Sequence, residues 1–355
     1  MSYPQRSILA AVTLFLLAPF VAEYLLGDFA ITFLSPLIML APLYGGGALL
    51  IREVVRRSGR GWPSILLLGC AYALIEEGFL GQTLFNPDIF GMHMHLLTHG
   101  WIPALGIGAW WTLFMLNVHP FWSIGVSIAL VDGLFPSRVR APWLGKVGLC
   151  VAAALFLAGA AANAAYSLHH DPFRASPAQF LVTALFIVAF AAAAFLVPPS
   201  LRDKPASLPA SDSLGEPLAA PPPPAPSPWI TGVVAFLLGA AVMLSPILWN
   251  WGAVDLILAV DLVFLIGLWV VSSRSAWTPL HTLSVGAGGA LVYGVHAFMQ
   301  PPVVPCPKGI ALASHVLFLV LALAVVAIAV FRTRRTQRIC PALPLGSQEQ
   351  SPAQP

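Results

Sequence analysis

IALASHVLFLVLALAVVAIAVF, residues 310–331, decides the fold. The run is 22 residues long, contains no Asp, Glu, Lys or Arg, and stops at Arg332, Arg334 and Arg335. Its apolar residues are continuous rather than alternating, so the stretch reads as a helix without a polar face. At 1.5 Å per residue it measures about 33 Å, enough to cross the roughly 30 Å hydrocarbon core of a bilayer.

Working outward, nine more runs of this kind precede it, at residues 7–26, 29–51, 62–85, 105–131, 146–168, 178–197, 229–249, 253–271 and 278–299. Hydrophobic residues make up 58% of the chain and charged residues 9%, with a mean hydropathy of +0.85. A soluble domain carries about 25% charged residues, so lipid must solvate most of this surface. The backbone then has to satisfy its own hydrogen bonds, which leaves helices or a closed barrel. Non-alternating runs select helices. The expected fold is an all-α polytopic membrane bundle of about ten transmembrane helices.

Orientation follows from the basic residues. With the N-terminus inside, 15 of the 17 Lys and Arg fall in cytoplasmic segments, and only Arg174 and Lys308 do not. Both termini are therefore expected in the cytoplasm and the chain in a cell membrane, of the bacterial inner-membrane type. Arg6 followed by an apolar run looks like a signal peptide. No small-x-small cleavage site precedes Glu23 and Asp28, so the segment reads as a retained first span. Cys70, Cys150, Cys306 and Cys340 lack a CxxC spacing and give no disulfide framework.

The segment 199–228 is rich in Pro, Ala and Ser and includes Pro221–Pro224; it reads as an extended linker. It divides a six-span part (1–198) from a four-span part (229–331), and 332–355 reads as a basic, then disordered, tail. Six spans against four supply no inverted repeat of the transporter kind.

Ionisable groups inside a span cost about 2.5–3.5 kcal/mol each on insertion scales, so each asks for a reason. Glu76 and Glu77 are adjacent in the third span; about 100° apart on a helix, they can border one polar cavity but cannot both face lipid cheaply. His119 precedes Pro120, which frees the carbonyl of Leu116 and bends the helix beside the imidazole. Ser123 and Ser127 continue His119's face. His296 and Gln300 form an i, i+4 pair at the end of the ninth run. Glu23, Asn163 and Asp255 lie at the same outer depth, so a water-filled cavity open to the outside would make all of these groups affordable. Asn163, Asp261 and Ser123 also suit plain interhelical hydrogen bonding. In the loop HMHLLTH, His93, His95 and His99 can supply three imidazole ligands to a divalent metal such as zinc.

The arrangement ALIEEGFLGQ with Glu76 and Glu77, FMLNVHPFW with His119, and HAFMQ with His296 and Gln300 resembles the CAAX-protease and bacteriocin-processing family of intramembrane endopeptidases. The resemblance implies a glutamate that activates water, with histidines and an amide holding water or metal and stabilising the oxyanion. It also implies a membrane-protein or peptide substrate. Three readings follow: an intramembrane hydrolase using Glu76, Glu77, His119, His296 and Gln300; a proton- or cation-coupled transporter with a path inward to Asp132 or Asp261; and an assembly protein without chemistry. No nucleotide loop, dinucleotide fingerprint or HExxH is present, and the dispersed basic residues give no nucleic-acid surface.

Overall fold

The computed structural model describes residues 3–198, 226–274 and 277–339. Most of the linker and the end of the tail lie outside the described residues. Among the described residues, nine helices are long and apolar enough to cross a membrane: α1 (Ser7–Leu25), α2 (Leu37–Arg57), α3 (Trp62–Leu80), α4 (Ala109–Leu134), α5 (Lys146–His170), α6 (Pro177–Leu196), α8 (Trp251–Val271), α9 (Pro279–Met299) and α10 (Lys308–Ile339). A shorter apolar helix, α7 (Pro228–Met243), completes the ten. The expected all-α membrane bundle is what the chain forms. Among the described residues the only β-structure is a two-residue antiparallel pair, Trp101–Ile102 with Ile107–Gly108.

α7 is shorter than the apolar run that encodes it. Its 16 residues span about 24 Å, less than a hydrocarbon core. Pro246 stands in the following 3₁₀ turn, Ser245–Ile247, and disfavours helical backbone at the residue before it. At the other end of the chain α10 runs longer than expected, carrying Arg332, Arg334, Arg335 and Arg338 on helical backbone to Ile339.

α4 is the centre of the bundle. Within its most apolar window 83% of residues are buried, against 11% for α5 and for α6, whose flanks are left to lipid. α1, α3, α8, α9 and α10 all pack on α4, so the helices after the linker join those before it. Trp122 of α4 stacks on Tyr293 of α9 with ring centroids 5.1 Å apart and planes 2° from parallel, and its indole N–H donates to Gly289 O at 2.9 Å. A buried tryptophan thus brings aromatic area while its polar handle is satisfied.

Four stretches of these helices have the wider π-turn: Phe20–Leu25, Ala41–Gly45, Ile75–Leu80 and Val118–Val126. Three have a proline at hand, Pro19 just before the first, Pro42 in the second and Pro120 in the fourth. A proline has no N–H and its ring crowds the carbonyl four residues back, so the helix relaxes into i to i+5 bonding. The third stretch shows that bonding directly, with Gly81 N donating to Glu76 O at 2.8 Å.

Asp171, at the α5–α6 turn, organises the loop between α3 and α4. Its carboxylate accepts from Asn86 Nδ2 (2.8 Å), Phe90 N (2.7 Å) and Phe173 N (2.8 Å). Burial works against its charge, but those donors and Arg174 outweigh burial and hold the carboxyl below its usual range. A carboxyl depressed by folding stabilises above its unfolded value of about 3.9 and loses that contribution as pH falls below it. Asp171→Ala is therefore expected to cost about 2 kcal/mol at neutral pH. Thermal melts of the two proteins should converge below about pH 4, and a gap as wide at pH 3 as at pH 7 would contradict this account.

Candidate functional site

Each of the four π-turns delivers at least one member of a single polar cluster: Glu23 from α1, Tyr44 from α2, Glu76 and Glu77 from α3, and His119 from α4. A π-turn adds a residue without breaking the helix, which rotates the following side chains and widens the local groove. Such turns concentrate at functional sites.

His119 is buried between the two glutamates. Its Nε2 lies 2.8 Å from Glu77 Oε1 and its Nδ1 lies 3.4 Å from Glu76 Oε2. Ser123 Oγ also faces Nδ1 at 3.4 Å. The other Glu77 oxygen accepts from the Thr83 hydroxyl, which in turn accepts from Trp111 Nε1 at 3.1 Å. Glu77 is thus held at both oxygens, with 12% of its side chain still exposed. Glu76 is buried, and its Oε2 has no hydrogen-bond partner.

Two tyrosines wall the imidazole. Tyr44 stacks on His119 at 6.1 Å and 17°, and Tyr72 sits 5.8 Å away at 59°. The Tyr72 hydroxyl is buried and lies within reach of Glu76, so two phenol groups and an imidazole surround that carboxylate. Gly45 and Gly69 let the carrying helices approach. A Cβ on Gly45 would strike the Phe15 carbonyl of α1, and one on Gly69 would come within 2.8 Å of Pro120 Cα.

A row of polar groups leads away from the cluster. Tyr44 lies within hydrogen-bonding reach of Glu76 and Glu23, and Glu23 shares a hydrogen bond with Asp28 in the following loop. Burial first, then the charge of Glu23, pushes the Asp28 carboxyl well above its usual range. Asp28 Oδ1 also accepts from Gln300 Nε2 at 3.0 Å.

The residues singled out from sequence therefore part company. Glu76, Glu77 and His119 are brought together. His296 is half-buried and outside the cluster, within hydrogen-bonding reach of Gln300, which connects to the cluster through Asp28 and Glu23. Asp255 is exposed. The three loop histidines are not gathered: His93 pairs with Asp88 at 3.1 Å, His99 accepts from Asn250 N at 2.9 Å, and His95 is exposed on a left-handed φ of 52°. Among the described residues, the group able to hold a metal is instead Glu76, Glu77 and His119, whose ligand atoms lie within 4.8 Å of one another. Two carboxylate oxygens and an imidazole nitrogen suit zinc, and the unpartnered Glu76 Oε2 fits such an ion. Tyr44 carried no signal that set it apart from core residues.

Fold and site together define a polytopic helical membrane protein built around a buried carboxylate–imidazole cluster. A family model described as an uncharacterized membrane protein family matches residues 12–205, more than half of the chain, and the chain belongs to that family. This corrects the resemblance drawn from the Glu-Glu pair: the match is to that family and not to the CAAX-protease and bacteriocin-processing family. One carboxylate pair and one histidine are too short a pattern to carry a family, and Gly81 stands four residues after Glu77 where the resemblance expects an arginine. No curated protein and no solved structure matches the chain. The matched segment contains Glu23, Tyr44, Tyr72, Glu76, Glu77 and His119, whereas His296 and Gln300 lie beyond it.

Proposed function

We propose that the cluster is a hydrolytic centre that activates water against an acyl bond of a membrane-embedded polypeptide. The observation that carries this reading is the convergence of Glu76, Glu77 and His119 within 4.8 Å. Glu77 is occupied at both oxygens and positions the imidazole; Glu76, whose Oε2 makes only the longer 3.4 Å contact to His119 Nδ1, is the base. Glu76 takes a proton from water, and the resulting hydroxide attacks the carbonyl carbon. The Tyr72 hydroxyl donates to the oxyanion, and the imidazolium of His119 hands a proton to the departing amine as the C–N bond breaks; Glu76 then returns the proton it took to His119 across their 3.4 Å contact. A divalent ion held by Glu76, Glu77 and His119 would instead take over those roles, polarising the carbonyl and acidifying a bound water. Asp28, Glu23 and Tyr44 connect the base to the loop and exchange its proton.

A transport reading is less well supported. Asp132, one inward station, is bound by Arg52 and Arg56, and Asp261, the other, accepts from Asn117 at 3.1 Å.

The test compares protein N-termini and lipid composition in membranes of cells producing the full chain or its Glu76→Gln variant. New membrane-protein N-termini present with the wild type and absent with the variant are expected. A change confined to lipids would overturn the polypeptide assignment, and identical membranes would overturn hydrolysis altogether.

A further inference from the structure

At the end of α2 away from the cluster, the chain turns through Gly59 (φ 66°), where an added Cβ would meet nothing within 4 Å. Arg56, Gly59, Arg60 and Arg140 line a pocket of about 60 Å³ there. The Nε atoms of Arg56 and Arg60 are buried without any acceptor. Nearby carboxylates are already spent. Asp132 serves Arg52 and Arg56, while Glu53 accepts from Trp143 N, Leu144 N and Arg57. Five arginines (52, 56, 57, 60 and 140) thus stand with these two acids, and Arg140 has no carboxylate partner among the described residues. Positive charges pressed around an open pocket repel one another unless an anion enters.

The surroundings say which anion. Arg60 lies over the Phe195 ring at 5.6 Å and bonds the Val197 carbonyl, so the pocket abuts the end of α6. That end bears Leu196, 81% exposed, and the flank above it is apolar and left to lipid. A phosphate in the pocket would place attached acyl chains along α6. The forked guanidinium groups match phosphate oxygens, and basic pockets between helices at a membrane face are suited to phospholipid head groups.

We infer that Arg56, Arg60 and Arg140 bind the phosphate of an anionic phospholipid head group whose acyl chains lie on α6. The site is separate from the acid–base cluster and does not depend on the function proposed for it.

The test is native mass spectrometry of the full chain released from vesicles of phosphatidylglycerol or phosphatidylcholine, with inorganic phosphate as a further arm. Retention of phosphatidylglycerol about tenfold above phosphatidylcholine is expected. Arg60→Gln/Arg140→Gln should remove that preference, and Arg140→Gln alone, at an exposed position, should weaken it while leaving the melting temperature unchanged. Inorganic phosphate displacing phosphatidylglycerol at equal concentration would overturn the lipid assignment in favour of a free-phosphate site. Equal retention of the two lipids, or a double variant that folds and keeps the preference, would overturn the site.

Discussion

Arg52→Leu is expected to cost the folded chain about 3–5 kcal/mol. The Arg52 guanidinium is fully buried and is the hub of the Arg-rich end of the bundle. Its Nε and Nη2 donate to Asp132 Oδ1 at 3.1 and 3.0 Å, tying α2 to α4. The same group donates to the carbonyls of Arg138 (3.0 Å), Val139 (3.2 Å) and Ala141 (3.2 Å), and lies 3.2 Å over the Trp143 ring. It therefore folds the 135–145 loop back under the bundle. Glu53, its neighbour, closes the loop from the other side through Trp143 N at 2.7 Å and Leu144 N at 3.1 Å. Leucine would leave Asp132 without its main partner and take the Arg52 donor from the Val139 and Ala141 carbonyls, while the Arg138 carbonyl keeps Trp143 Nε1 and Ala141 N. Most of the cost comes from those stranded groups, so Arg52→Leu/Asp132→Leu should recover part of it. Arg52→Lys should not rescue, because an ammonium cannot span a carboxylate and three carbonyls as a planar fork does. Melting temperature and monodispersity in detergent decide the matter; a single variant that melts with the wild type would show the hub to be dispensable.

How much of this was legible in the sequence depends on whether the signal is local. Spans were legible, since a bilayer-length apolar run such as 310–331 has no other home. Glu76, Glu77 and His119 were legible because charge inside a span is expensive wherever its partners lie. Arg52 was not. In sequence it stands with Arg56, Arg57 and Arg60 at the end of an apolar run and reads as orientation charge; only the folded-back loop buries it. The i, i+4 spacing of His296 and Gln300 suggested one helical face. The α-helix ends at His296 and a 3₁₀ turn follows over Ala297–Met299; Gln300 stays within hydrogen-bonding reach of His296, but its amide also turns to Asp28 and the pair stands apart from Glu76, Glu77 and His119. The π-turns had a partial signal in Pro19, Pro42 and Pro120, but a proline announces a disturbed helix without saying that the disturbance aims a side chain. Tyr44 became a site residue by that route alone, through the π-turn containing Pro42.

Within the cluster, Glu76→Gln is expected to lower the hydrolytic rate by about 10²–10⁴, and by more than Glu77→Gln does. The asymmetry follows from what each carboxylate touches. A glutamine at 77 keeps a carbonyl oxygen to face His119 Nε2 across the present 2.8 Å, so the imidazole stays in place. A glutamine at 76 removes the carboxylate that receives water's proton, and an amide cannot replace it. Glu77→Ala, which deletes the positioning contact entirely, should fall between Glu77→Gln and Glu76→Gln. Because the groups act as one unit, adding His119→Ala to Glu76→Gln should lower the rate little further, whereas independent contributions would multiply. Stability should move the other way. Glu76 is a buried carboxylate set beside a second one, a cost that catalytic sites carry against the fold, so Glu76→Gln is expected to melt at or above the wild-type temperature. Rates measured on whichever substrate the N-terminal comparison yields test the ordering. If Glu77→Gln proved the more damaging change, Glu77 would be the base. A Glu76→Gln protein that lost stability along with activity would make the cluster a structural tie between α1, α3 and α4.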